Sequence, residues 1–275
     1  MFGKPTRTIL CPSCGRLTRA DAEECLVCGR RRPGMWGLSD LFRRLFRTGG
    51  PTHLITVACI VLYVLSLVID PAGAMQPRGP FEIFSPSGTA LRRLGMTGAG
   101  AWMNGEWWTL ITSIYLHGGV LHILFNVLWI RQLGPAVEEL YGPARFFVIF
   151  TISGVAGFVV SDLLGVSFTV GASGSIFGLL GAMVAFGRRR GGAFGAMVLR
   201  QYGQWALLLF ILGFFMSGVN NLAHAGGFVG GLAAGLVLTL AERRAETSAD
   251  HLVAAGLIVM TIVAFGLALS ASFLG

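Results

Sequence analysis

The sequence predicts an all-α polytopic membrane protein, and its composition, its apolar segments and its glycine content all indicate this class. Of the 275 residues, 54% are hydrophobic and only 12% are charged, about half the charged fraction of a soluble domain. The mean hydropathy is +0.70. The 40 glycines follow no Gly-X-Y period, and in a membrane they allow helices to approach closely. The composition therefore excludes a disordered chain, collagen, a disulfide-rich secreted module and an ordinary soluble enzyme.

The chain divides into two regions of different composition. Residues 1–52 hold four of the five cysteines and ten of the 21 Lys and Arg residues, and they contain no long apolar run. We therefore expect a small cytoplasmic four-cysteine module with a basic linker at residues 1–50 and a transmembrane domain at residues 51–275.

Seven apolar segments follow, and each approaches the roughly 20 residues that a helix needs to cross about 30 Å of hydrocarbon. They cover residues 53–69, 117–133, 145–163, 173–187, 203–219, 221–240 and 252–274. The second and fourth segments are short. The long connection at 70–116 contains Trp102, Trp107 and Trp108, a residue type that is frequent at membrane interfaces. We expect this connection to be an outer loop that lies partly among the lipid headgroups.

The distribution of positive charge predicts the orientation in the cell membrane. With a cytoplasmic N-terminus, 18 of the 21 Lys and Arg residues lie on the inner side, and only Arg78, Arg92 and Arg93 lie outside. This satisfies the positive-inside rule and places the C-terminus outside. Topology and the lipid bilayer therefore explain the formal net charge of +8, and nucleic acid is not an expected partner.

Two similar six-residue motifs in the N-terminal region predict a metal site. They are Cys11-Pro-Ser-Cys14-Gly-Arg and Cys25-Leu-Val-Cys28-Gly-Arg, and their spacing resembles a zinc ribbon. Four thiolates form a closed tetrahedral site, which suits structural Zn²⁺ and leaves no open position for catalysis. The cytoplasm disfavours disulfides, so an iron site and a redox dithiol pair are the alternatives. A cytoplasmic protein partner of this module is one interpretation of its role, and we expect Cys59 to be a small buried apolar residue.

Polar side chains inside spanning segments are costly, and they occur near the start of three segments. Ser173 begins the fourth segment within a glycine-rich stretch. His224 lies near the start of the sixth, where two rows of small residues predict close contact with a neighbour, expected to be the fourth segment. The rows are Gly227, Gly231, Gly235 and Gly226, Gly230, Ala234. In the second segment, His122 and Asn126 share a helix face. Taken singly, helix packing explains each group.

The predicted topology places these groups at one level. Every even-numbered segment enters from the outside, so Ser173, His224 and His122 each lie within about two turns of the outer surface. Serine becomes a nucleophile when a base removes its proton, and histidine is a base near neutral pH. At a helix N-terminus, Ser173 also has free backbone N–H groups that favour developing negative charge. The pattern predicts a Ser–His dyad, with His122 and Asn126 as oxyanion donors.

Three further expectations concern the surroundings of this dyad. Phe177, four residues after Ser173, is expected to pack on the imidazole of His224. Asp162 is the one candidate for a third member of a triad, because no carboxylate lies near this level in the second, fourth or sixth segment. The fourth segment spans only about 22 Å, so we expect the connection 163–172 to dip inward as a re-entrant loop that lines a wet cavity.

The order and spacing of three motifs resemble the rhomboid family of intramembrane serine proteases. The motifs are Gly171-x-Ser173-Gly174, Ala223-His224-x-Gly226-Gly227 and His117-x-x-x-x-His122-x-x-x-Asn126. The stretch Gly134-Pro135-Ala136-Val137-Glu138, followed by Tyr141-Gly142, also resembles the family's second turn. The resemblance covers about residues 53–240.

The resemblance implies a six-helix rhomboid-like bundle, to which the seventh helix and the zinc-ribbon-like module are additions. It implies a serine endopeptidase that cleaves transmembrane protein substrates near the outer face without a catalytic cofactor. In this interpretation Ser173 is the nucleophile and His224 is the general base. The oxyanion hole is formed by His122, Asn126 and the N–H of Ser173. The remaining candidate site residues are Gly171 and Phe177.

One departure from the family and two competing functions complete the sequence analysis. The first outer loop contains Trp107-Trp108-Thr109, where family members often carry a Trp-Arg pair. The first alternative function is a non-proteolytic binder or chaperone of membrane proteins, against which the presence of both dyad residues argues. The second is a metal or haem protein using His117, His122 and His224. A spacing of five along a helix separates the first two by about 140°, which argues against a shared metal.

Overall fold

The computed structural model describes residues 8–11, 16–19, 21–29, 31, 50–76, 84–216, 218–238, 240–241 and 243–274. Within these residues, seven long helices follow a small sheet. The helices are α1 (Gly50–Ile69), α2 (Val120–Tyr141), α3 (Pro143–Leu163), α4 (Ser173–Arg190), α5 (Gly192–Gly213), α6 (Asn221–Val237) and α7 (Ser248–Leu274). Each predicted apolar segment contributes to one of these helices, so the all-α fold class is confirmed.

Several helix boundaries differ from the prediction, most of them by a few residues. The helix α2 has 22 residues and is not short, because it continues to Tyr141 and buries Val137 and Tyr141 on its packed face. The helix α4 continues beyond its apolar part through the charged last turn to Arg190. The helix α5 begins at Gly192 and not near residue 203. Its first turns contain Gly192, Gly195 and Arg200, which interrupt the apolar pattern and make the sequence predict a loop here.

The lengths and hydropathies of the helices fit a polytopic membrane protein. Four helices in the described part of the chain, α1, α2, α3 and α7, are each long and apolar enough to cross a membrane. The helix α6 is apolar but has only 17 residues. The helices α4 and α5 do not meet the same criterion.

The connection between α1 and α2 forms a packed set of short helical turns. They are Pro71–Ala74, Gly88–Arg93, Ala99–Met103, Thr109–Thr112 and the 3-10 turn Ser113–Tyr115. Trp102 and Trp107 are exposed at its surface. Beneath them, Leu94 and Leu116 are buried and pack with Phe265 of α7. The helix α7 therefore supports this connection from the side.

The helix α4 is the centre of the bundle. Thirteen of its 18 residues are buried, and it packs against α2, α3, α5 and α6. Cys59 of α1 is fully buried in the same core, as expected for a small apolar residue. Because α4 is enclosed by its neighbours, the position of its first residue is fixed by the whole bundle.

The helices α4 and α6 are in direct backbone contact through glycines. A Cβ atom added at Gly227 would collide with the carbonyl oxygen of Gly174, and one added at Gly231 would collide with that of Gly178. The second row of small residues, which begins at Gly226, packs on α3 instead. The predicted contact between the fourth and sixth segments is confirmed for the row that contains Gly227.

A buried arginine joins α7 to the start of α3. Arg145 is fully buried and forms an ion pair of 2.8 Å with Asp250, in the first turn of α7. Its guanidinium also donates hydrogen bonds to the carbonyl oxygens of Tyr141, Arg244 and Ala245. A buried charge is costly unless it is paired and hydrogen-bonded, and these contacts therefore fix the start of α7 against α3.

The N-terminal region contains the one sheet found in the described residues. The strands β1 (Thr8–Leu10) and β2 (Leu17–Arg19) form an antiparallel hairpin, with Thr8 opposite Arg19. The chain then turns through residues 21–29. This turn brings the second cysteine motif to the end of the hairpin, beside Cys11.

We expect Gly231→Ala to destabilise the protein by about 1–3 kcal/mol, because the added methyl group meets the backbone of Gly178 and forces α4 and α6 apart. Gly256→Ala in α7 is the matched control, since a Cβ atom at Gly256 meets no atom within 4 Å. Thermal unfolding of both variants in detergent measures the difference. Equal unfolding temperatures would contradict the backbone contact.

Candidate active site

Ser173 is the first residue of α4, where the chain enters the centre of the bundle. Its side chain is half-buried, and no side chain caps this helix end. The N–H groups of the first turn lack intrahelical partners, so they can stabilise negative charge beside Ser173. Gly174, the next residue, faces α6, and a Cβ atom there would lie 3.4 Å from the carbonyl oxygen of Ala223.

His224 lies in the first turn of α6 and is buried, with 6% of its surface exposed. Its imidazole stacks on the ring of Phe177, with 4.2 Å between ring centroids and 16° between planes. This is the packing expected from the sequence. Phe177 lies one turn after Ser173 on α4, so the stacked rings and the contact of Gly174 bring the starts of α4 and α6 together.

Asn221 orients the imidazole of His224. The Nδ1 atom of His224 lies 3.2 Å from Oδ1 of Asn221. An amide oxygen can only accept a hydrogen bond, so Nδ1 carries the proton and Nε2 keeps its lone pair. The ring is therefore held by stacking and by one hydrogen bond in the tautomer that makes Nε2 a base.

His122 packs on the backbone immediately before Ser173. A Cβ atom at Gly171 would lie 2.5 Å from Nε2 of His122, and Gly171 has a φ of +127°, so glycine is required here for two reasons. The N–H of Gly118 donates to Nδ1 of His122. In the neutral ring the proton therefore lies on Nε2, which faces Gly171 as a hydrogen-bond donor.

Asn126 is buried one turn after His122, with 4% of its surface exposed. Its Nδ2 donates a hydrogen bond of 2.7 Å to the backbone carbonyl of His122. This bond uses one of its two amide hydrogens, and the other is available to a second acceptor. Its Oδ1 is buried without a hydrogen-bond partner in the described part of the chain.

The argument against a shared metal from the helical spacing of His117 and His122 is wrong. The helix α2 begins at Val120, so His117 precedes it, and the two rings lie 5.1 Å apart. His117 instead bonds through Nδ1 to the carbonyl oxygen of Tyr115. Among the described residues, the one group of three or more side chains arranged to hold a metal consists of cysteines.

Two expectations about the approach to Ser173 are also corrected. Asp162, the candidate third member of a triad, accepts a hydrogen bond from Thr97, while Asn221 bonds to His224. The connection 163–172 is buried only at its end and not along its length, because it pairs with Thr97 and leaves Leu163, Leu164 and Phe168 exposed. Thr97 and Ser113 accept hydrogen bonds from the N–H groups of Thr169 and Gly171 and hold this end of the connection.

Three of the four predicted cysteine ligands come together in the N-terminal module. The sulfur atoms of Cys11, Cys25 and Cys28 all lie within 4.8 Å of one another, and those of Cys11 and Cys28 are 3.7 Å apart. This matches the roughly 3.8 Å edge of a tetrahedron with Zn–S bonds of 2.3 Å. Hydrogen bonds from the N–H groups of Val27 and Cys28 lower the pKa of Cys25 to about 6, which favours the thiolate that a metal requires. Cys14 lies outside the described residues.

Sequence reasoning missed two groups of residues around this site. Asn221 was overlooked, although its place three residues before His224 on a helix is a usable signal. Thr97 and Ser113 were also missed. They belong to the connection between α1 and α2, and only the folded structure brings them to the segment before α4.

The fold and the site define a helical membrane protein in which a serine at one helix N-terminus packs beside the histidine-bearing turn of another helix. A model of the Rhomboid domain matches residues 104–241. The chain is 40% identical over 149 residues to the putative rhomboid protease YdcA of Bacillus subtilis, covering 51% of this chain and 72% of that protein. This chain belongs to the rhomboid family.

Other relatives are longer than the matching region. Identity to rhomboid protease GluP of Bacillus subtilis is 37% over 167 residues, which is 58% of this chain and 31% of GluP. Identity to RHOMBOID-like protein 5 of Arabidopsis thaliana is 34% over 186 residues, which is 63% of this chain and 58% of that protein. The chain thus spans less than two thirds of the length of these two relatives.

We expect Gly171→Ala to lower the free energy of unfolding by about 1–3 kcal/mol more than Gly165→Ala does. Both glycines have a positive φ, so both alanines strain the backbone, but only the methyl group at position 171 meets the ring of His122. Thermal unfolding in detergent compares the two variants. Equal losses would show that His122 does not pack on Gly171.

Proposed function

We propose that the protein is an intramembrane serine endopeptidase that cleaves transmembrane protein substrates. Membership of the rhomboid family and similarity to relatives named as rhomboid proteases support this activity. The single observation that carries the proposal is the contact between the starts of α4 and α6, where Phe177, one helical turn after Ser173, stacks on His224.

In the proposed reaction, Ser173 is the nucleophile and His224 is the general base. The Nε2 atom of His224 takes the hydroxyl proton as Oγ of Ser173 attacks the peptide carbonyl. His224 then gives this proton to the leaving amine, and an acyl ester on Ser173 remains. Water attacks the ester, losing a proton to His224, and hydrolysis releases the new carboxylate and the free hydroxyl. Asn221 and Phe177 hold the imidazole in orientation throughout.

The oxyanion formed in both steps needs donors at fixed positions. Nε2–H of His122, the second amide hydrogen of Asn126 and the backbone N–H of Ser173 are the donors we assign. The bond from Gly118 to His122 supports this role, because it leaves the proton on Nε2. One such donor contributes roughly 2.7–4 kcal/mol in other enzymes.

The orientation and the substrate follow from the same proposal. The positive-inside distribution of Lys and Arg favours a cytoplasmic N-terminus, an outer C-terminus and cleavage near the outer face. Substrates are transmembrane segments with small residues at the cut and helix-breaking residues nearby, because a stable helix keeps its carbonyl groups in internal hydrogen bonds. Binding without cleavage is the alternative function on this scaffold.

The test is cleavage of a single-span model substrate by the full chain in liposomes. We expect Ser173→Ala and His224→Ala to lower kcat at least about 1,000-fold. The first removes the nucleophile and the second removes the base that activates it, and neither group works without the other. Ser175→Ala is the matched control. Ser175 is buried in the same helix, and its hydroxyl has no hydrogen-bond partner among the described residues. Cleavage that survives Ser173→Ala would exclude this mechanism, and a wild type that binds substrate without cleaving it would favour the non-proteolytic alternative.

We also propose that the N-terminal module binds structural Zn²⁺ through Cys11, Cys25 and Cys28, with Cys14 as the fourth ligand. The spacing of the three described sulfur atoms supports this proposal. A four-thiolate site has no open position, so the metal stabilises the module and takes no part in peptide cleavage.

Metal analysis of the purified full chain tests the zinc proposal. We expect about one zinc per chain in the wild type and a loss of zinc in Cys11→Ser and Cys28→Ser, because each removes one of the thiolates that a structural site requires. Cys59→Ala is the control, since Cys59 lies buried in the helix bundle. Iron in place of zinc, or full zinc content in the Cys11→Ser protein, would contradict the proposed site.

A further inference from the structure

The last turn of α3 carries two adjacent buried polar residues, Ser161 and Asp162, with 0% and 3% of their surfaces exposed. Neither belongs to the site described above. Their side chains nevertheless form hydrogen bonds to two different segments. Asp162 bonds to Thr97, whose backbone pairs with the segment that leads into α4, and Ser161 bonds to Asn220 at the start of α6. Buried polar groups that are hydrogen-bonded in a network specify one arrangement of the chain.

Asp162 contacts the segment that leads into α4 indirectly, through Thr97. Its Oδ2 accepts a hydrogen bond of 2.7 Å from the hydroxyl of Thr97. The N–H of Thr97 donates to the hydroxyl of Ser113 at 2.7 Å, and the carbonyl oxygen of Ser113 accepts from the N–H of Gly171 at 2.9 Å. The carbonyl oxygen of Thr97 also accepts from Thr169 at 2.9 Å. The backbone two residues before the nucleophile is therefore fixed through Thr97.

Ser161 controls the start of α6. Its hydroxyl accepts a hydrogen bond of 2.6 Å from Nδ2 of Asn220. Asn220 caps α6, because its Oδ1 accepts from the N–H of Ala223, and its carbonyl oxygen accepts from the N–H of His224 at 3.1 Å. Asn220, which fixes the first turn of α6, is therefore held by Ser161.

We propose that Ser161 and Asp162 are positioning residues that set Ser173 against His224. The inference rests on the proposed protease function for its catalytic consequence. These two consecutive residues of α3 fix the segment before Ser173 and the first turn of α6, which carries His224. A change at Ser161 or Asp162 therefore alters the position of Ser173 relative to His224. Neither residue takes part in the proposed bond making or breaking, since their contacts are with Asn220 and Thr97.

Removal of the Thr97 hydroxyl is the substitution expected to disrupt this network most. Its hydroxyl is the one hydrogen-bond donor to the carboxylate of Asp162 in the described part of the chain, because Oδ1 of Asp162 is buried without a partner. The hydroxyl of Thr109, also in the connection between α1 and α2, lies 3.0 Å from that of Thr97 and extends the network. Removal of the Thr97 hydroxyl leaves a buried carboxylate unpaired, which is more costly than removal of both partners.

The test compares Thr97→Val with Thr97→Ser in full chains reconstituted in liposomes. Valine keeps the shape of threonine without the hydroxyl, and serine keeps the hydroxyl. We expect Thr97→Val to lower kcat about tenfold to 100-fold with KM within about twofold of the wild type, because the reacting groups are displaced. We expect Thr97→Ser to keep both constants within about twofold. Full activity of Thr97→Val would overturn the inference.

A double variant separates positioning from stability. In Thr97→Val with Asp162→Leu, no buried carboxylate is left unpaired, so we expect the unfolding temperature to recover towards that of the wild type. The hydrogen-bonded link is still absent, so kcat is expected to remain low. Recovery of kcat together with stability would mean that the network only stabilises the fold, which contradicts the proposal.

Hydrogen–deuterium exchange gives a readout that does not depend on proteolysis. We expect faster exchange of the Gly171 amide in Thr97→Val, but not in Thr97→Ser. Loss of the Thr97–Asp162 bond frees the backbone of Thr97, which no longer holds Ser113, the acceptor of the Gly171 N–H, in place. If the wild type does not cleave substrate, this difference still supports the positioning network, and only the protease proposal fails. If the wild type cleaves substrate and the exchange rates are equal, only the inference fails.

Discussion

The site depends on the backbone contact between α4 and α6. Lipid offers no hydrophobic driving force between helices, so their association relies on close packing and hydrogen bonds. Here glycines allow the two backbones to touch at Gly227 and Gly231, and this distance could not be reached with side chains at those positions. The contact places the first turn of each helix beside the other, and Phe177 and His224 then stack across the junction. Everything proposed about catalysis requires this junction.

The remaining elements orient groups around the junction. Asn221 and Phe177 hold the imidazole of His224. Gly118 and Gly171 contact that of His122. Each ring therefore presents its Nε2 atom in a defined protonation state. The connection between α1 and α2 reaches the segment before α4 through hydrogen bonds, and α7 packs against this connection. The arrangement is therefore built from several helices whose positions are coupled, and it gains rigidity from a buried core in which α4 is enclosed.

The sequence predicts the elements of this arrangement whose signals are local. The seven apolar segments follow from the length of the apolar runs. The contact of the glycine row that contains Gly227 and the stacking of Phe177 on His224 follow from helical spacing, and the structure agrees with them. The start of α5 was not predictable from hydropathy because Gly192, Gly195 and Arg200 interrupt the apolar run before residue 203. The roles of Thr97 and Asp162 were not predictable because their hydrogen bond joins residues 65 positions apart in the chain. No local pattern specifies such a pair, and the residue types alone left Asp162 as the one candidate for a third catalytic residue beside the predicted dyad.

The most direct test of the account is covalent labelling of the full chain in lipid with a fluorophosphonate probe, with the modified residue identified by peptide mass spectrometry. Such a probe reacts with a serine that a neighbouring base activates. The account predicts a single adduct on Ser173 whose rate of formation falls sharply in His224→Ala. An adduct on another residue, or an unchanged rate of Ser173 labelling without the imidazole, would contradict it.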